Sequence, residues 1–279
     1  MTAEASLPRP PASGPATFAS AIDRIWRARK LVERNVMVYR HQMVVIFSGV
    51  LEPVLYLAGI GFGLGGLVSH GVSLPDGRSI PYATYAAPGL LAVAAMNGAV
   101  FETIFNVFFK LNYAKTYEGI LATPMGITEI AVGEMLWALL RALLYATAML
   151  VLMLVLGLIL SPWALLALPA ALLVSAAFSA AGLAGTSVLR TVQDFDIPMG
   201  LIVMPMFLFS GTFFPTSFYP VPIQVALQAT PLFHSISLIR GLTLGVMGWE
   251  QVWDLAYLVT FFALLMWVAM RQMERKLIK

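Results

Sequence analysis

Three ionisable side chains, Glu52, Glu102 and Arg141, interrupt stretches that are otherwise apolar over about twenty residues, the length a helix needs to cross a bilayer. At a helical rise of 1.5 Å per residue, Glu52 stands about 18 Å beyond Arg40 and Arg141 about 20 Å beyond Ile127, so the two share a depth and could pair. Glu102 is about 12 Å from Lys110, one to two turns nearer the same side. Glu134 lies two turns below Arg141 on the same helical face. A charge at the centre of a bilayer costs at least about 2.5 to 3.5 kcal/mol, so such groups face the protein interior and find partners. Three roles follow for Glu52, Glu102, Glu134 and Arg141: a structural interhelical pair or network, substrate passage, or proton coupling.

Other chemistry has little to stand on. No segment carries the G-x-x-x-x-G-K-[ST] spacing that cradles nucleotide phosphates, so ATP would have to be bound by another subunit. GFGLGG at Gly61 to Gly66 matches G-x-G-x-x-G, but it ends an apolar stretch and no strand precedes it. It fits helix packing better than a dinucleotide. His41, His70 and His234 fall on different segments without ligand spacing, no G-x-S-x-G elbow occurs, and carboxylates are sparse. With no cysteine, disulfides, thiolate metal sites and cysteine nucleophiles are excluded together. No bound cofactor or metal is expected.

The elements that must hold these charges are set by composition. Hydrophobic residues make up 59% of the 279 residues and charged ones 11%, with a mean hydropathy of +0.84, too little polar surface for a soluble domain of this length. Six stretches are expected to span: Met43 to Gly65, Tyr85 to Phe109, Ile127 to Leu160, Trp163 to Leu189, Ile197 to Phe218 and Val252 to Met270. The third exceeds one crossing, so part of it should lie at the cytoplasmic surface. Threading them alternately places 14 of the 17 Lys and Arg residues on one side, which orients the chain with both termini cytoplasmic in a cytoplasmic membrane. The first strongly apolar run starts only at Met43, so no cleaved signal peptide is expected. A pI near 9.2 then speaks of anionic headgroups rather than nucleic acid.

Residues 1–17, rich in Pro, Ala and Ser, read as a disordered cytoplasmic tail. In residues 18–41, Phe18, Ile22, Ile25, Trp26, Val32, Val36 and Tyr39 recur at roughly helical spacing with basic residues on other faces, a basic amphipathic helix lying in the membrane interface. Residues 42–272 form the six-span domain and 273–279 a cytoplasmic tail. The loop 110–126 should hold a short helix ending near Thr123-Pro124. The outer segment 219–248 is too apolar for a loop yet broken by Pro220, Pro222 and Pro231. It reads as a pair of half-helices re-entering the bilayer. The fold class is therefore all-α and polytopic. Span two carries Phe101, Phe105, Phe108 and Phe109, and span five Phe207, Phe209, Phe213 and Phe214; such rings pack helices or line a route for an amphipathic substrate.

This order of features resembles the ABC-2 type permeases, in particular the nodulation protein J and daunorubicin-resistance branch. The matching motifs are LEPVLYLAGIGFGLG at Leu51 to Gly65, FETIF at Phe101 to Phe105, YEGILATP at Tyr117 to Pro124, GEMLWALLRA at Gly133 to Ala142, PMFLFSGTFFP at Pro205 to Pro215 and PLFHSISLIRGLTLG at Pro231 to Gly245. The resemblance implies the transport subunit of an exporter, not itself an enzyme, built from two permease copies, a homodimer in the simplest case, and two separate P-loop ATP-binding subunits. It implies ATPase docking at Tyr117, Glu118, Leu121 and Pro124, and an outer gate formed by the broken segment with Pro231, His234 and Arg240. It leaves the cargo open among lipid-linked saccharides, glycolipids and hydrophobic drugs. Two other classes compete: an ion-coupled secondary carrier using Glu52, Glu102 and Arg141, and an intramembrane transferase, which would need a polar catalytic cluster that the sequence does not offer.

Overall fold

The computed structural model describes residues 18–41, 43–66, 71–74 and 76–277; the expected tail 1–17, His70 and the last two residues lie outside them. The protein is mostly helical. Helix α1 (Phe18–Tyr39) is followed by α2 (Met43–Tyr56), which continues through a π-helical turn, Leu57–Phe62, to Gly63–Gly65. A short antiparallel hairpin, β1 (Val72–Ser73) and β2 (Ser79–Ile80), pairs Val72 with Ile80 and Ser73 with Ser79. Then come α3 (Tyr82–Asn112), α4 (Thr116–Leu121), α5 (Ile127–Val155), α6 (Pro162–Val188) and α7 (Val192–Phe209). Two short helices, α8 (Val221–Gln228) and α9 (Pro231–Leu244), precede α10 (Trp249–Leu277).

Five of these helices, α3, α5, α6, α7 and α10, are long and apolar enough to cross a bilayer, while α2 has a shorter apolar stretch, Phe47–Gly61. Helix α3 is the axis of the bundle, buried on nearly every side and packed by α5, α6 and α9. Its composition explains the position. Lipid is as apolar as leucine, so helices associate through close packing, and α3 presents Ala86, Ala87, Ala92, Ala95 and Ala99, all fully buried. On α6, Gly182 sits where a Cβ would overlap the Thr103 side chain of α3. On α5, Gly133 leaves room for Leu31 of α1, whose side chain would stand 2.7 Å from a Cβ there. Helix α1 buries Ala28, Leu31, Asn35 and Tyr39, one face at spacings of three and four, against α5.

By contrast α7 buries little: Phe195, Met206 and Phe207 face inward while Ile197, Leu201, Ile202, Met204 and Leu208 are exposed. The expected fifth span, Ile197 to Phe218, is displaced toward the N-terminus. The helix already runs from Val192, where Asp194 accepts from the amides of Arg190 and Thr191, and it stops at Phe209 because Gly211 takes a left-handed turn at φ +88°. The third span likewise ends at Val155 rather than Leu160, closed by a turn with Gly157 at φ +68°. Residues 273–277, expected as part of a tail, are the last turns of α10. Its final segment, RQMERKL, consists of good helix formers, and Arg275 and Lys276 complement the helix dipole.

Candidate functional site

At the end of the bundle that carries α4, a chain of polar side chains runs through the interior. Glu102 has no solvent exposure and opens a π-helical turn in α3, Glu102–Asn106. Such bulges are frequent at functional positions. Arg141 of α5 donates through Nη1 to Glu102 Oε2 and through Nη2 to the Tyr145 hydroxyl at 2.8 Å, with its guanidinium over the rings of Tyr39 and Tyr145. The same Glu102 oxygen accepts from Asn106 Nδ2 at 2.7 Å and from the Tyr39 hydroxyl at 3.4 Å.

Nearer α4 stands a second hub. Glu134, also fully buried, accepts from Lys110 Nζ at 2.8 and 2.9 Å, from Asn35 Nδ2 at 3.3 Å and from the Tyr117 hydroxyl at 3.0 Å. Lys110 Nζ also lies 3.9 Å from Glu102 Oε1 and joins the hubs. Burial, and then the Glu134 charge, push the Tyr117 phenol well above its ordinary pKa; burial, and then Glu102, push that of Tyr39 up as well. Both phenols therefore stay protonated and donate. A further link, Arg27 to Glu129 at 3.3 Å, ties α1 to the first turn of α5, where Glu129 Oε2 accepts from the Gly126 amide.

The network thus joins α1, α3, α4 and α5 through one set of charge-assisted bonds, each stronger than a neutral one. Glu52 is outside it. By depth alone Glu52 could pair with Arg141; the structure gives Arg141 to Glu102, and Glu52 accepts from Asn97 Nδ2 of α3 at 3.3 Å. The reason is lateral. Tyr145 fills the contact between α2 and α5 at Gly49, so Arg141 turns toward α3. Glu52 borders an open groove of about 580 Å³ along α2, with Ser48, Leu55 and Gly59 on its walls.

Of the four residues assigned to docking, Tyr117 is buried and points at Glu134, whereas Glu118 and Pro124 are exposed and Leu121 is half-buried. Helix α4 is therefore anchored from within and free on its outer side. Of the three assigned to the outer gate, Pro231 opens α9 in the first helical turn, where its missing amide costs nothing. His234 presents Nδ1 to Asp254 Oδ1 at 2.7 Å and Nε2 to the Gln228 carbonyl at 2.8 Å, and stacks on Tyr257. Arg240 donates to the Gly211 carbonyl at 2.7 Å and lies 3.9 Å over the Tyr85 ring. Tyr82 donates to the Phe213 carbonyl at 2.9 Å, so the first turn of α3 and α9 together hold the turn after α7.

Sequence reasoning passed over Asn35, Tyr39, Asn106 and Lys110. A signal was present: Glu102, Asn106 and Lys110 lie at i, i+4 and i+8, and Asn35 and Tyr39 at i and i+4, so each set shares one helical face. The phenylalanines mostly pack against one another. Phe105, Phe108 and Phe109 surround Phe195, and Phe207 and Phe213 meet Tyr56.

A bundle of long apolar helices around an interior ionic network, with α1 and the short α4 bonded to that network at one end, is the architecture of a multi-pass membrane protein. The ABC-2 type transporter family matches residues 28–244. The chain belongs to that family, whose members are membrane subunits of transporters. It is 32% identical over 255 residues to nodulation protein J of Sinorhizobium fredii, covering 91% of this chain and 93% of that one. It is 33% identical over 224 residues to nodulation protein J of Rhizobium leguminosarum bv. trifolii, covering 79% and 80%.

Proposed function

We propose that this chain is the permease subunit of an ATP-driven exporter, moving an amphipathic or lipid-linked substrate such as a glycolipid, a saccharide-lipid or a hydrophobic drug outward across the cytoplasmic membrane. In this reading six spans include α2, both termini are cytoplasmic, α8 and α9 re-enter from outside, and a separate P-loop subunit docks on α4. The observation that carries it is the Tyr117–Glu134–Lys110 junction. Glu118 on helix α4 and Pro124 in the turn after it are exposed and available to a partner, while Tyr117 ties the inner side of α4 to spans α3 and α5. Movement imposed on α4 is then transmitted to the spans through a rigid, fully bonded connection, as a switch between two discrete arrangements requires.

A second copy of the chain is part of the proposal. The face of α7 is largely exposed and an open groove runs beside Glu52, and a carboxylate at that depth is costly against lipid. Two copies facing each other there would shelter it and enclose a passage. The carrier reading would require the Glu102–Arg141 ion pair to open and re-form in each transport cycle.

The test is purification from the native host with identification of the subunits that come with the chain. A stoichiometric P-loop ATPase, lost on replacing Glu118 with Lys and Leu121 with Asp while membrane insertion persists, is the expected result. Absence of such a subunit, with transport abolished by a protonophore but not by ATP depletion, would overturn the proposal.

A further inference from the structure

At the opposite end from α4, a cavity of about 460 Å³ opens between α9, the start of α10, the turn after α7 and the β1–β2 hairpin. Its deepest charged group is Arg240. Arg240 is half-buried as a residue and borders the cavity, Nη2 is held by the Gly211 carbonyl, the Tyr85 ring lies under the guanidinium, and Nε is sealed from solvent without a partner. Among the described residues no carboxylate lies within ion-pairing distance of Arg240. Glu250 borders the cavity but is exposed, and Arg78 is paired with Asp76 at 2.6 Å. The lining also carries the hydroxyl residues Ser217 and Ser237.

A cation withdrawn from water is costly unless it is paired, and a guanidinium is built to grip an oxyanion through a fork of donors. Hydroxyls can donate or accept, which suits sugar-like hydroxyl groups. Tyr85 and the Gly211 carbonyl hold the fork in place before any ligand arrives.

We propose that this cavity is a binding site for an oxyanion, a carboxylate or phosphate, carried on a polyhydroxyl body, with Arg240 as its anchor. The site goes beyond the exporter reading by adding a ligand class. It needs neither ATP nor a partner subunit, so its failure and the failure of that reading are separable.

The experiment measures equilibrium binding of radiolabelled glucuronate to the full chain in phosphatidylcholine nanodiscs without nucleotide, with glucose as the uncharged comparison. Saturable glucuronate binding, glucose weaker by about tenfold or more, and a similar loss in Arg240→Gln are expected, the magnitude following from a lost hydrogen bond to a charged group. Arg240→Lys should retain part of the affinity. Ser237→Leu, which fills the cavity without touching the Arg240 anchor bonds, should abolish it and provides an independent arm if Arg240→Gln does not fold. If phosphatidylglycerol nanodiscs suppress glucuronate binding equally at low and high salt, where surface repulsion is screened, the site stands and its resident oxyanion is a lipid headgroup. Equal binding of glucose and glucuronate, or undiminished binding by folded Arg240→Gln or Ser237→Leu, overturns the proposal.

Discussion

Replacing Arg141 with Leu should be among the most destabilising single changes in this protein, and replacing Glu102 as well should restore much of what is lost. Removing one partner of a buried ion pair costs about 3 to 5 kcal/mol, mostly because the other charge is left behind. Here Glu102 keeps Asn106 at 2.7 Å, Tyr39 at 3.4 Å and Lys110 at 3.9 Å, which places the cost of Arg141→Leu at the lower end. About 3 kcal/mol is roughly 140-fold in the ratio of folded to unfolded protein. Glu102→Leu leaves Arg141 with only the Tyr145 hydroxyl at 2.8 Å and two aromatic faces, so its cost should be similar. The double variant removes both charges together. It should fall short of the summed single losses by about 2 kcal/mol, within the range for residues in contact. Reversible unfolding in mixed micelles, followed by tryptophan fluorescence, measures the cycle. The parallel cycle of Glu52→Gln with Arg141→Leu should be additive within about 0.5 kcal/mol, since Glu52 is bonded to Asn97. Additivity in the first cycle, or strong coupling in the second, refutes the assignment of partners.

Tyr117→Phe removes one donor from Glu134, which Lys110 and Asn35 still hold, so unfolding should be eased by about 1.5 kcal/mol. If α4 transmits the stroke of an ATPase, substrate moved per ATP hydrolysed should fall in reconstituted vesicles more than ATPase binding does. Gly182→Val forces a side chain into Thr103 and to within 3.3 Å of Ile104, and overpacking of this kind should cost about 1 to 3 kcal/mol in the same unfolding assay. Gly119→Ala, with nothing within 4 Å of the added methyl, should leave the unfolding midpoint unchanged or raise it. Gly211→Ala should destabilise, because φ is +88° there, and should loosen the turn that Arg240 and Tyr82 hold; protease cleavage in that turn reads the effect.

Much of the architecture is legible in the chain because apolar length and small-residue content are local properties. Helix α3 announces itself by an alanine-rich run and α9 by Pro231 and a closing Gly245 at φ +75°. That the short helix α4 stops at Leu121, just before Thr123-Pro124, agrees with the proline's bias against helix at the residue before it. Span ends were less legible where a turn rather than a drop in hydropathy stops the helix, as at Gly211 and Gly157. The polar network was half legible. Its carboxylates and Arg141 stand out against apolar surroundings, whereas Asn35, Tyr39, Asn106 and Lys110 look like ordinary interface residues until their shared helical faces are brought together.

The sequence by itself determined the bilayer as the medium, the approximate apolar stretches and the family, because hydropathy and motif order are properties of one helix at a time. Only the tertiary structure decided which charge meets which. Depth along a helix says nothing of the direction in which a side chain leaves it, and that direction is fixed by the ridges and gaps of the neighbouring helices. Gly49 admits Tyr145, Tyr145 turns Arg141 toward α3, and Glu102 rather than Glu52 becomes its partner.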